Sequence, residues 1–151
     1  MIDENNVPDI ESNEELSRCI VFSKHVRSPT GSDKTEGRVK PNAFVPHPYD
    51  DLSVNRHLQS TDDDVWELCR QVAQQLKKTL YGRATVNASD FQSRKLRVQP
   101  DPIRSENSDG LLPNPNHAIV VGWPEEKSAQ LAIAQDIADA CRFFEPPQQS
   151  G

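Results

Sequence analysis

Between residues 38 and 56 the chain reads RVKPNAFVPHPYDDLSVNR, and this stretch constrains the fold more than any other. Pro41, Pro46 and Pro48 forbid a regular helix there, because each ring fixes its own dihedral and lacks the N–H that an i→i−4 bond needs. A central strand would lose ladder bonds at the same positions. Yet Val39, Phe44, Val45, Tyr49, Leu52 and Val54 are apolar enough to anchor the segment. The expectation is an extended brace laid across a domain surface, its middle adding at most a short edge strand. Fixed dihedrals also reduce the entropy lost on association, so a rigid segment of this kind suits partner recognition.

The rest of the chain supplies ordinary elements. RCIVFS at 18–23 reads as a strand. Thr61 followed by Asp62, Asp63 and Asp64 opens a helix over about 62–79, with Thr61 as its cap. Its apolar stripe is Val65, Leu68, Cys69, Val72 and Leu76. Strands are expected at 80–86 and around Leu96 and Val98, with a helical turn over 88–94 between them. HAIVVGW at 117–123 is the most apolar run and reads as a central strand. Pro124 suits the first position of a second helix reaching Phe144, with Ile133, Ile137, Cys141 and Phe144 on one face. The order predicts an α+β fold, two helices packed on one face of a mostly antiparallel sheet of about four strands.

Charge divides the chain unevenly. Residues 1–17 hold six acids and no Lys or Arg; the remaining 17 acids and 17 bases balance. Residues 1–17 therefore read as a disordered acidic tail, 18–145 as a single α+β domain, and 146–151 as a second loose end. With 34% hydrophobic residues and a mean hydropathy of −0.73, no run approaches the roughly 20 apolar residues of a membrane span. Three cysteines, Cys19, Cys69 and Cys141, form no CxxC pair. They read as small buried thiols, and the expected setting is reducing and cytoplasmic.

Chemistry is sparse. GxxxxGK[ST], GxGxxG, GxSxG and HExxH are all missing. The acidic run at 62–64 is explained by the helix start, so no metal and no cofactor are expected. The sharpest enzymatic possibility is metal-independent phosphodiester cleavage, as by a small ribonuclease, which needs one imidazole as base, another as acid and a cation for the phosphate. His25 and His117 are the candidates for the imidazoles. Arg27, Arg38, Lys40, Arg56 and Arg83 are the candidate anion- or partner-binding cations. The His-x-Thr/Ser triplet of two-histidine phosphoesterases is not met, since the triplets here are His25-Val26-Arg27 and His117-Ala118-Ile119. Nucleic-acid contact would rest on Phe44, Tyr49, Tyr81 and Phe91 near basic residues.

RVKPNAFVPHPYDDLSVNR, LYGRA and NHAIVVGWP together make residues 19–143 resemble a family of small, uncharacterised bacterial proteins. The resemblance implies a bacterial setting and carries no catalytic residue with it. The expected function is that of a non-enzymatic interaction or accessory protein of a bacterial multi-protein system, binding a protein partner through residues 38–56.

Overall fold

The computed structural model describes residues 1–29, 31–107 and 112–148. Strand β1 spans Glu15–Ile20, β2 Leu52–Arg56, β3 Gly82–Asn87, β4 Arg97–Pro100, β5 His117–Val121 and β6 Arg142–Phe144. Helix α1 spans Asp62–Leu76, α2 Ala88–Gln92 and α3 Lys127–Ala140. The strands form one antiparallel sheet in the order β4-β5-β2-β1-β3-β6. The α+β class is as expected; the element count is not, with six strands in place of four and three helices in place of two.

Alternation along the strands makes two unlike faces. Leu16 and Ile20 of β1, Leu52 and Val54 of β2, Ala84 and Val86 of β3 and Ala118 and Val120 of β5 join one hydrophobic cluster. Ala134, Ile137 and Ala138 of α3 cover that cluster, as do Ala43 and Phe44 from a single 3₁₀ turn at Pro41–Phe44. The opposite face carries Ser17, Cys19, Ser53, Asn55, Arg83, Thr85 and His117, and α1 lies on it, tied to β1 by a disulfide between Cys69 and Cys19. The two long helices thus pack on opposite faces rather than sharing one.

Residues 38–56 are divided between interior and surface: 47–51 are exposed, and Tyr49, expected as an anchor, is 73% exposed. Val39, Ala43, Phe44, Leu52 and Val54 are buried, and β2 sits between β1 and β5 instead of at an edge. The prolines fall in the turns before β2, so none interrupts its ladder. At the other end the last helix stops at Ala140, and Arg142–Phe144 pairs with β3. Phe143 enters the core from that strand. Its partner β3 begins at Gly82, where a Cβ would lie 2.4 Å from the Phe144 carbonyl oxygen; only glycine admits so close an approach.

Helix boundaries follow their caps. Thr61 Oγ1 accepts from the Asp64 N–H at 3.1 Å while Asp64 accepts from the Thr61 N–H at 3.0 Å, a reciprocal capping box. Lys77 takes a left-handed conformation and closes α1 at Leu76, earlier than the periodicity suggests. Helix α3 starts at Lys127 with Glu126 at its cap, so Pro124 lies outside it. The Pro124 carbonyl instead accepts from Gln130 Nε2 at 2.8 Å.

The acidic N-terminus is held against the body rather than loose. Ile2 is 3% exposed, and its N–H donates to Asn116 Oδ1 at 3.0 Å. The Glu4 carbonyl accepts from Arg104, and the Glu4 carboxylate accepts from the Ser105 hydroxyl at 2.8 Å. Arg56, fully buried, donates to both oxygens of Glu14, at 2.5 and 3.0 Å, and to the carbonyls of Pro8 and Asp9. Acidity in this arm serves pairing as well as solvation. Of the C-terminal tail, residues 149–151 lie outside the described residues.

Candidate functional site

Register lines up polar residues across the face beneath α1. Arg142 pairs with Thr85, Thr85 with Ser17, Ser17 with Asn55, and Asn55 with His117. Side chains along this row bond to one another or to neighbours. Ser17 Oγ lies 2.9 Å from Thr85 Oγ1 and 2.5 Å from His57 Nε2. Asn55 accepts from Asn114 Nδ2 at 2.8 Å. A polar row inside a sheet is tolerated because nearly every group finds a partner. The face leaves two clefts, one against β2 and β5 and the other against β3 and β6.

The first cleft has a volume of about 300 Å³. Its floor carries Ser53 and Asn55 from β2 and His117 from β5, and Asn114 and Arg18 add further polar groups. Its mouth is apolar: Phe22, Leu76 and Leu112 line it and are 38%, 52% and 44% exposed. Both histidines proposed from the sequence line this cleft. His25 ends a 3₁₀ turn after β1 and packs its ring against Phe22 at 5.1 Å. His117 Nδ1 lies 2.9 Å from the Asp101 carbonyl oxygen and 3.1 Å from its carboxylate. A proton on Nδ1 satisfies both contacts and leaves Nε2 free for a ligand.

Burial, followed by the charges of Arg18 and Lys24, lowers the His25 pKa from 6.5 to about 4. His25 is therefore neutral at pH 7. Its protonation is easier in the unfolded chain, so the stability tied to neutral His25 is complete above pH 6.5 and is lost as pH falls through 4. A proton NMR titration of the His25 ring should give a midpoint near 4. A midpoint near 6.5 would show the ring to be freely solvated.

Arg18 was not anticipated by the sequence reading. It donates to the carbonyls of Ala43 at 2.5 Å and Ser53 at 2.8 Å, and burial lowers its pKa to about 10, so it remains a cation at neutral pH. No local motif marks it, because its partners come from segments 25 and 35 residues away.

The five proposed cations do not gather on one surface. Arg27 is exposed, and its carbonyl accepts from Arg38 Nε at 2.7 Å. Arg38 is buried, also donates to the Lys34 carbonyl, and stacks over Phe143 at 4.9 Å. Lys40 is half-buried, and its backbone N–H donates to the His25 carbonyl. Arg56 pins the N-terminal arm. Arg83 alone of the five lines either of these two clefts, the second one.

Cys19 also lines the first cleft, as half of the disulfide with Cys69 across 50 residues. This pairing corrects the reading of three reduced thiols and removes the argument for a reducing compartment. Cys141 is a buried free thiol, its pKa pushed up to about 12 by burial and by Asp139, which leaves it unreactive.

His57 belongs to the second cleft. Burial, then the Arg83 charge, lowers its pKa against the opposing pull of Glu15, Asp62 and Glu14. Among the described residues, no group of three or more His, Cys, Asp or Glu is placed to hold a metal ion, and no helix is long and apolar enough to cross a membrane. Compared with known protein families, curated proteins and solved structures, the chain matches none.

Proposed function

We propose that this chain is a non-enzymatic interaction or accessory protein of a bacterial multi-protein system, and that the first cleft receives an apolar side chain of a protein partner. Phe22, Leu76 and Leu112 standing exposed around one mouth is the observation that carries this reading. Large apolar side chains rimming a concave, polar-floored site favour association, because docking removes them from water. Residues 38–56 take part through Ser53 and Asn55 on the cleft floor, while the buried apolar residues of the segment brace the core.

The test is capture of one defined partner from a native lysate, followed by the Leu76→Asp and Leu112→Asp double variant. Both positions are exposed, so the fold should survive, and circular dichroism would verify it. Affinity for the captured partner should fall about tenfold or more. Equal capture by the folded variant, or no reproducible partner, would defeat the proposal.

A second reading is favoured by one observation, that His25 and His117 share this cleft with Arg18. It is metal-independent phosphodiester cleavage, with neutral His25 as base and His117 as acid, while the Arg18 guanidinium is held toward the core face by the Ala43 and Ser53 carbonyls. A base with a pKa near 4 is deprotonated but weak, which places this reading second. Chelator-resistant cleavage of labelled RNA, lost in both His25→Ala and His117→Ala, would reverse the order of the two.

A further inference from the structure

The second cleft, about 490 Å³ in volume, holds the least satisfied cation among the described residues. The Arg83 side chain is 7% exposed, and its Nε and Nη1 have no hydrogen-bond acceptor among the described residues. Nη2 reaches Asp62 Oδ1 only at 3.5 Å, the outer limit of a hydrogen bond, and that Asp62 side chain is 82% exposed. The guanidinium packs against the rings of Trp66 at 4.9 Å and Phe144 at 5.3 Å, which fix its plane. Nε and Nη1 are closed off from solvent, so a buried guanidinium with one distant, solvated carboxylate for company favours a closer anion at Nη2, the nitrogen that reaches Asp62.

Charge around it narrows the choice. Arg83 and Arg142 face Glu15, Asp62, Asp90 and Glu145 in the same lining. A dianion such as phosphate would meet an excess of carboxylates. A small molecule bearing one carboxylate and one ammonium meets both signs. We propose that this cleft binds a free amino acid or a similar small zwitterion, its carboxylate displacing Asp62 from Arg83 and its ammonium lying among Glu15, Asp90 and Glu145. Thr85, on the floor between Ser17 and Arg142, offers a hydroxyl to the carboxylate. Neutral His57 adds no positive charge to the opening and leaves the balance of signs as it stands. This proposal concerns a cleft separate from the partner site above and stands without it.

The experiment titrates the full chain with a panel of free L-amino acids by calorimetry and by amide NMR, with acetate and methylammonium as half-ligands. At least one amino acid should bind, with shifts centred on Arg83, Thr85 and Asn87. Acetate and methylammonium should each bind about tenfold or more weakly than that amino acid, since each makes only one of the two charged contacts. Asp62→Asn, which removes the displaced group at an exposed position, should tighten binding. Arg83→Lys should weaken it about tenfold or more, because an ammonium lacks the planar stacking on Trp66 and Phe144 that fixes Nη2. No amino acid moving those amides, either half-ligand matching the whole, or an Asp62→Asn variant with unchanged or weaker affinity would overturn the proposal. The last outcome decides even if Arg83→Lys fails to fold.

Discussion

Arg56→Ala is expected to lower the unfolding free energy by about 3–5 kcal/mol, the range for removing one partner from a buried ion pair. The Arg56 side chain is 0% exposed and that of Glu14 is 4% exposed, so the substitution would strand a carboxylate in the interior. It would also leave the Pro8 and Asp9 carbonyls without this donor. Arg56→Lys keeps the charge but cannot reach four acceptors in one plane, and it should fall between wild type and alanine. Urea denaturation measures the loss. Hydrogen exchange locates it, and protection of residues 2–14 should fall before that of β1 and β2. A variant that loses less than about 1 kcal/mol would mean that the arm is not anchored through Arg56.

Reducing the Cys19–Cys69 disulfide should cost roughly 4 kcal/mol, because the link closes a loop of 50 residues and so restricts the unfolded chain. For a chain of this length that is a fall of roughly 10 °C in Tm. The effect should be local as well as global. The buried residues of α1, Val65, Trp66, Leu68, Cys69 and Ala73, lie outside the main hydrophobic cluster, so the helix depends on the link more than α3 would. Thermal scans with and without reductant, and of the Cys19→Ser/Cys69→Ser double variant, provide the measurement. Alkylation in denaturant should mark one thiol before reduction and three after it. An unchanged Tm, or three thiols from the outset, would count against the link.

Elements with strong local signals were legible in the sequence. Helix α1 has a cap, an acidic first turn and an apolar stripe, and β5 lies in the most apolar run. Both depend on neighbours within a few residues. β2 was hidden because two of its five residues, Ser53 and Asn55, lie on the polar face, whose partners come from β1, β5 and the loop before β5. β6 has three residues, too few to show alternation, and Phe144 falls one helical repeat of seven after Ile137. The arm at 1–14 looked solvated because its acids have no bases nearby in sequence; Arg56 and Arg104 reach it from 42 and 100 residues away.

The candidate sites divide in the same way. His25 and His117 were identifiable by residue type, but only register and the turn after β1 bring them to one cleft. Arg83 was visible as a cation, yet its shortage of partners is a property of Trp66 and Phe144 packing around it. Ser17, Thr85 and His57 carried no motif at all, and their chain of contacts follows from cross-strand pairing.

The order of the sheet places β4 and β6 at its margins. β4 has four residues and ends in Pro100, which offers no N–H, while β6 has three and is followed within three residues by Pro146 and Pro147. Neither margin exposes a long row of unpaired amides for another copy to extend. The fold therefore carries its own protection against edge-to-edge, fibril-like stacking.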